Sequence, residues 1–542
     1  MKPLRLLAVA ALTGALVSTA SGGSKALASA AAGCSVSWAK AEDGDWSDPD
    51  KWDTGVVPQD GSDVCILQDG SYTVALTGLP PVFIHSLQLG SGSGDQTLVL
   101  SGNPFSNGSV IVEDKAEIGS TGRLTLTTSS PDHSSAFWAK GGTTNLGTIV
   151  TAGGGDGFRD LRGDLINNGL VDVEVDTSYG SGGSDTLTNH GVVEVAAPLE
   201  VRLSAFVNGV GGTIEGLGTH MLTVRSGTFT QGDGDVSPVV IALEGSNLNV
   251  TGTGAATFVW HGVANFSGGL RSADQTLLVE GTCNGTAGVN SAATYVNRGT
   301  IQLFSADCAA AARLDLVNDT HMTNRGSIEV FTAAGGSRGI FGALQNYGVL
   351  KLGEGVTLDN FAFVQESSGK LETEMADGPL RLGRITSNLV QLDGTIAVEA
   401  LPGYTPVLGD TFDVVSGGQV FESFRRVKGA VLGGSTYFRP TYTPNAAQLV
   451  VTAASAAISP RKGHAGTAVS VTGAGFPASS SVAFSFTDSN GTQTSLGNVT
   501  TDAAGSFATT VGIPLDADPG LGKVTVRSAV TGVRVSRRFT VT

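Results

Sequence analysis

One short motif recurs along the chain and fixes most of what the chain can fold into: Asn, any residue, Gly, then alternating apolar positions. It stands at Asn145-Leu146-Gly147-Thr148-Ile149-Val150, at Asn167-Asn168-Gly169-Leu170-Val171-Asp172-Val173 and at Asn189-His190-Gly191-Val192-Val193-Glu194-Val195. A second block holds Asn297-Arg298-Gly299-Thr300-Ile301, Asn324-Arg325-Gly326-Ser327-Ile328 and Asn346-Tyr347-Gly348-Val349-Leu350, and a variant sits at Asn208-Gly209. The asparagine spacings are 22, 22 and 19 residues in the first block and 27 and 22 in the second. A fixed period in this range marks a solenoid. Each motif is followed by a short period-2 strand, and no helical period fills the space between copies. The predicted class is all-β: a parallel β-helix in which each copy makes one turn. Turns stack at ~4.8 Å, so residues 80–400 have room for about 14 turns and a rod of roughly 70 Å.

Composition agrees with that reading. The 542 residues include 77 glycines, and only 15% of residues are charged. Glycine weakens helix interiors and suits corners, where the motif glycine is expected in a left-handed or tight conformation. The motif asparagines, at 145, 167, 189, 297, 324 and 346, are expected to form a corner ladder that satisfies buried polar groups rather than a ligand surface. Between about 210 and 295 the motif lapses. Segments such as Gly245-Ser246-Asn247-Leu248-Asn249-Val250 and Ala264-Asn265-Phe266 favour degenerate turns over inserted loops.

The first 32 residues read as a secretory signal peptide. Lys2 and Arg5 precede a 12-residue apolar stretch at 6–17, too short to span a bilayer, and Ala-x-Ala patterns follow at residues 26–32. Ala32-Gly33-Cys34 has the look of a lipoprotein signal, but Ala31 replaces the usual Leu and the apolar stretch ends far upstream, so lipid attachment is not expected. No later stretch reads as a membrane helix. A secreted, extracellular monomer is expected. Four cysteines in an exported chain imply two disulfides, and proximity favours Cys34–Cys65 and Cys283–Cys308. A net charge of −16 argues against nucleic acid or anionic lipid as a bulk electrostatic partner.

An open solenoid end exposes strand edges and needs a cap. Residues 33–79 read as the N-terminal cap. They hold Trp38, Trp46 and Trp52, which could stack on sugar rings but more simply make a small aromatic core. Residues 401–455 read as the C-terminal cap. The pattern of Trp46 and Trp52, then Pro58, then Asp63-Val64-Cys65-Ile66, followed by the Asn-x-Gly strands, resembles bacterial secreted β-helix proteins. The close Gly409-Asp410-Thr411-Phe412-Asp413-Val414-Val415, with Phe421, Phe424, Tyr437 and Tyr442, adds to the resemblance. These proteins are similar to autotransporter-passenger adhesins with a right-handed, pectin-lyase-like fold. The resemblance covers about residues 34–453 and implies a fold and a surface location. A C-terminal membrane barrel of the autotransporter kind is not recognisable in the sequence.

Residues 456–542 differ. They open with Gly466-Thr467-Ala468-Val469-Ser470-Val471-Thr472-Gly473-Ala474-Gly475-Phe476, and Asn490-Gly491 signals a hairpin. Short strands punctuated by turns read as a β-sandwich, and the segment resembles an immunoglobulin-like domain of the IPT/TIG kind. It carries seven Arg or Lys and four Asp, a charge of +3. Setting aside that charge, and Lys2, Arg5 and Lys25 of the signal, leaves −22 for residues 33–455. An acidic rod with a mildly basic tip follows.

Catalytic signatures are sparse. Glycosidases need two carboxylates at a set separation, and no Ser/His/Asp hydrolase signature occurs. Asp156, Asp160 and Asp164, with Arg159 and Arg162, form the one cluster that could hold calcium; a solvated loop is the preferred reading, and no cofactor is expected. His190 and His261 read as exposed corner residues. The expected function is a secreted structural or adhesion protein that contacts cell-wall polymer, glycan or a host surface. The alternative is a polysaccharide lyase or glycoside hydrolase with an unrecognised acid pair on one face.

Overall fold

The computed structural model describes residues 33–542 apart from 91, 217–221, 306–307, 317–319, 333–335 and 377–380. The expected signal peptide at 1–32 lies outside the described residues. The chain is all-β, 60% strand and 1% helix, and forms a β-solenoid of about 14 turns.

A turn of the first half has three strand segments. Arg159–Arg162, Leu165–Asn167 and Leu170–Val173 make one turn; Thr177–Tyr179, Thr186–Asn189 and Val192–Val195 make the next. Each segment pairs in parallel with its counterparts above and below. Period-2 alternation sends one set of side chains inward, so Ile149, Val171, Val193, Ile214 and Val236 fall in one register column. All five are buried in a core that runs without a break from Val36 to Val451. Phe206, Phe229 and Phe258 stack edge-to-face within it at 5.0 and 5.9 Å.

The asparagines form one corner of the solenoid. Asn145 Nδ2 donates to Asn167 Oδ1 at 2.8 Å, Asn167 to Asn189 at 2.8 Å, and Asn189 to Asn208 at 3.0 Å. The second block repeats the pattern from Asn297 through Asn324 and Asn346 to Gln365 Oε1, at 2.9, 2.8 and 2.9 Å. Each amide also donates to a main-chain carbonyl of the next turn, as Asn145 does to Leu170 at 3.0 Å. The first member of each ladder has no asparagine before it. Its Oδ1 instead accepts from its own corner glycine, Gly147 or Gly299, at 3.1 Å.

The motif glycines owe their place to close approach rather than to a left-handed backbone. None of Gly147, Gly169, Gly191, Gly299, Gly326 and Gly348 has positive φ. A Cβ on Gly326 would lie 2.1 Å from the carbonyl oxygen of Gly299, and one on Gly169 would lie 2.2 Å from that of Gly147. Backbone stacks on backbone at this corner, and only glycine leaves room.

Through 210–295 the turns continue in degenerate form. The third face, a nine-stranded sheet, ends at Asp235–Val236. From there the strands Val240–Glu244, Ala256–His261 and Gln275–Gly281 carry the first face onward to Thr300–Ser305. The strand after the corner asparagine therefore belongs to the third face in the first block and to the first face in the second. The corner itself persists: Gln275 Nε2 donates to the carbonyls of Gly252 and Gly254 at 3.1 and 2.9 Å, doing with one residue what the asparagines do elsewhere.

Both disulfides form, Cys34–Cys65 and Cys283–Cys308. The first commits the Cys34 sulfur within the N-terminal segment. At the C-terminal end the pairing turns antiparallel. Thr411–Glu422 pairs with Ala446–Ala453, which pairs with Thr436–Thr443. Residues 455–541 form a three-stranded and a five-stranded sheet around a second core that includes Val469, Phe484, Val526 and Phe539. Tyr437 of the preceding segment joins this second core and donates its hydroxyl to the Gly475 carbonyl at 2.7 Å.

Candidate functional site

The residues singled out in the sequence do not converge on one site. Trp38, Trp46 and Trp52 are 1%, 0% and 2% exposed. Their rings pack edge-to-face at 4.9 and 5.0 Å, and Trp52 Nε1 donates to the Trp46 carbonyl. They cap the solenoid core and offer no face to a sugar, which removes them as stacking residues. Asp156, Asp160 and Asp164 point to different duties. Asp156 is exposed, Asp160 pairs with Arg162, and Asp164 accepts from the Thr186 amide and hydroxyl at 2.7 and 3.0 Å. Among the described residues no group of three His, Cys, Asp or Glu side chains gathers as a metal site. The three acids do not gather because only Asp160 lies on a strand, Arg159–Arg162, while Asp156 and Asp164 stand in the connections on either side of it.

His261 is not a free corner residue. Its Nδ1 lies 2.8 Å from Glu244 and its Nε2 2.9 Å from Glu280, carboxylates of the turns on either side. Burial works against the charged ring, but the hydrogen bonds to Glu280 and Glu244 outweigh it and raise the histidine pKa.

The site with the most chemistry is a cleft of about 740 Å³ on the first face of the solenoid. Its floor is the turn at Thr177–Tyr179, where Ser178 presents only a small side chain and Gly180 follows. Asp160 and Arg162 of the preceding turn stand on one side, and Glu200 and Arg202 of the following turn on the other. Asp160, Ser178 and Glu200 occupy one register column. The two carboxyl-bearing backbones are thus two turns, roughly 10 Å, apart. Each carboxylate is held by guanidinium. Arg162 Nη2 meets Asp160 at 2.6 Å, and Arg202 and Arg225 each donate to Glu200 at 2.6 Å.

The two acids are tuned in opposite directions. Burial raises the Asp160 pKa, against the pull of Arg162. Burial pushes Glu200 the same way, but hydrogen bonds from Arg225 and Arg202 prevail and hold it below the usual range. Apolar surface sits alongside. Phe158 lines the cleft and is 72% exposed. Trp138, in register with Arg162, has the Arg162 guanidinium 6.0 Å and the Lys140 ammonium 5.2 Å from its ring centre. Such a surface can hold a ligand with many hydroxyls and an apolar ring face.

Sequence reasoning reached Asp160 and Arg162 and missed Ser178, Glu200, Arg202 and Phe158. Ser178 and Glu200 share the Asp160 column only once the turns are paired in register, and Phe158 precedes the strand Arg159–Arg162 and belongs to no column.

Fold and cleft together define a disulfide-bonded β-solenoid with a lateral charged cleft. No protein-family model matches the chain, and no curated protein matches it. Among solved structures the chain is similar to macromomycin at 18% identity, with a TM-score of 0.13, over 17% of this chain and 100% of that one.

Proposed function

We propose that the protein is an extracellular structural and adhesive rod that holds a polysaccharide strand in the cleft between Asp160–Arg162 and Glu200–Arg202. The observation that carries this reading is the one-turn notch at Ser178, walled by paired charges and edged by the exposed Phe158. Carboxylate and guanidinium groups recognise sugar hydroxyls, and an exposed aromatic packs on a sugar ring. The signal-like start and the two disulfides support export, since disulfides persist in oxidising compartments. Residues 456–542 serve as an immunoglobulin-like tip of the IPT/TIG kind on a right-handed, passenger-like solenoid. Retention of the protein on immobilised neutral glycans tests this. The Ser178→Trp variant, which fills the notch without changing charge, should lose that retention. Wild-type protein that binds none of these surfaces, or Ser178→Trp that binds as wild type, would defeat the reading.

The opposite tuning of Asp160 and Glu200 favours a second reading, an inverting glycoside hydrolase with Asp160 as acid and Glu200 as base. Divergent pKa values assign acid and base roles in such pairs, and the backbones that carry the two acids, roughly 10 Å apart, compare with ~6.5–9.5 Å between the carboxyl groups of inverting enzymes. New reducing ends released from a bound glycan, and lost in Glu200→Gln, would put this reading first. Intact glycan after prolonged incubation would dismiss it.

A further inference from the structure

The outer face of the five-stranded C-terminal sheet carries an arrangement that folding alone does not explain. In the antiparallel pair Gly520–Ser528 and Arg534–Val541, Arg527 stands directly opposite Arg534, and Lys523 directly opposite Arg538. All four are exposed. Like charges directly opposite across a sheet destabilise it. Between the two cation pairs lies Thr525 opposite Ser536, with their hydroxyls 2.8 Å apart. The neighbouring strand adds Ser485 and Thr487 to the same rows. The four cations have no carboxylate partner among the described ion pairs. The domain's acids lie in loops instead: Asp488 and Asp502 accept from loop amides, and Asp518 from the Asn490 side chain.

This face is also one wall of a trough. The hairpin at Val431–Gly433, with Gly434 and Ser435, closes over it to leave about 870 Å³, lined by Arg527, Arg534, Arg537, Thr525 and Ser536 with no acidic residue. Cations four residues apart on one strand are about 14 Å apart, so the two pairs suit anionic groups spaced along an extended chain. The hydroxyl row between them suits sugar hydroxyls. No aromatic side chain lines the trough, so it lacks the stacking platform that unpaired nucleic acid requires.

We propose that this trough binds a carboxylate-bearing polysaccharide. Arg527 and Arg534 engage its carboxylates in the forked geometry that guanidinium favours, and Lys523 and Arg538 meet a further anionic group along the same strand. This attachment is separate from the solenoid cleft, and Ser178→Trp leaves it unchanged. Polygalacturonate is the probe, titrated against the whole chain and its variants at several salt concentrations. Arg527→Ser/Arg534→Ser should weaken binding at least tenfold and flatten its salt dependence. Removing a like-charge pair leaves the melting temperature unchanged or raised, so loss of binding is not loss of fold. Lys523→Ser/Arg538→Ser should weaken binding in parallel. Arg461→Ser/Lys462→Ser, an equal charge change at exposed positions outside the trough, should bind as wild type. Equal weakening by this control, wild-type affinity in Arg527→Ser/Arg534→Ser, or single-stranded DNA bound as tightly as polygalacturonate would overturn the proposal.

Discussion

Replacing Asn167 by alanine removes the middle of the first corner ladder. The side chain is fully buried. It accepts from Asn145 and donates to Asn189 Oδ1 and to the Val192 carbonyl, at 2.8, 2.8 and 3.0 Å. Three hydrogen bonds at about 1 kcal/mol net each give about 3 kcal/mol, and each buried acceptor left without a donor adds about 1–3 kcal/mol. Relief is available. Asn145 Nδ2 keeps its bond to Leu170, and Asn189 Oδ1 can turn to its own corner amide as Asn145 does. A net loss of about 3–4 kcal/mol is expected. Solenoid turns couple mainly to their neighbours, so the loss should be local. Amides of the turns at 165–195 should exchange with solvent roughly 100- to 700-fold faster, at 1.4 kcal/mol per decade. The control is Asn168→Ala, one residue on and exposed, which should change stability by less than about 0.5 kcal/mol. Native-state hydrogen exchange and urea unfolding of wild type and both variants give the comparison. If Asn167→Ala stays within that margin, or if both alanines cost the same, the ladder does not hold the turns together.

Three further outcomes follow from the same geometry. Gly326→Ala drives a Cβ into the Gly299 carbonyl and should cost about 1–3 kcal/mol by overpacking, whereas Gly182→Ala, whose Cβ would meet nothing, should be limited to its left-handed backbone strain; thermal unfolding separates the two. His261 has its folded-state pKa raised above the ordinary 6.5, so its contribution is fully present below that value and is lost as pH rises through the folded pKa. The stability gap between wild type and His261→Gln should therefore shrink as pH rises, and a gap independent of pH would contradict it. Removing the Cys283–Cys308 bond with two serines frees a 25-residue separation and should cost about 3.5 kcal/mol on a chain-entropy basis, read as faster exchange in the turns that the bond ties.

The repeat period made the solenoid legible because asparagine and glycine at its corner are each demanded by a distinct contact, one polar and one steric. The reason for the glycine was not legible, since a close approach between turns leaves no mark in local sequence. The degenerate stretch hid its register because Gln231 and Gln275 replace asparagine, and because the third face ends at Val236. The cleft was hidden by unequal corners. Asp160 lies seven residues before Asn167, Ser178 eleven before Asn189, and Glu200 eight before Asn208, so three residues of one column never share an offset from the motif. The tryptophans, read as a small aromatic core, are buried as that reading expects, although clustering on the chain does not by itself distinguish a buried cap from an exposed platform.

The most direct measurement is retention of the wild-type chain and of Ser178→Trp on immobilised neutral glycans, which give the basic C-terminal trough no anion to bind, with the released material assayed for new reducing ends. A glycan-holding cleft predicts wild-type retention, its loss in Ser178→Trp at unchanged melting temperature, and intact polymer. Equal retention of the two proteins, or retention by neither, would contradict it.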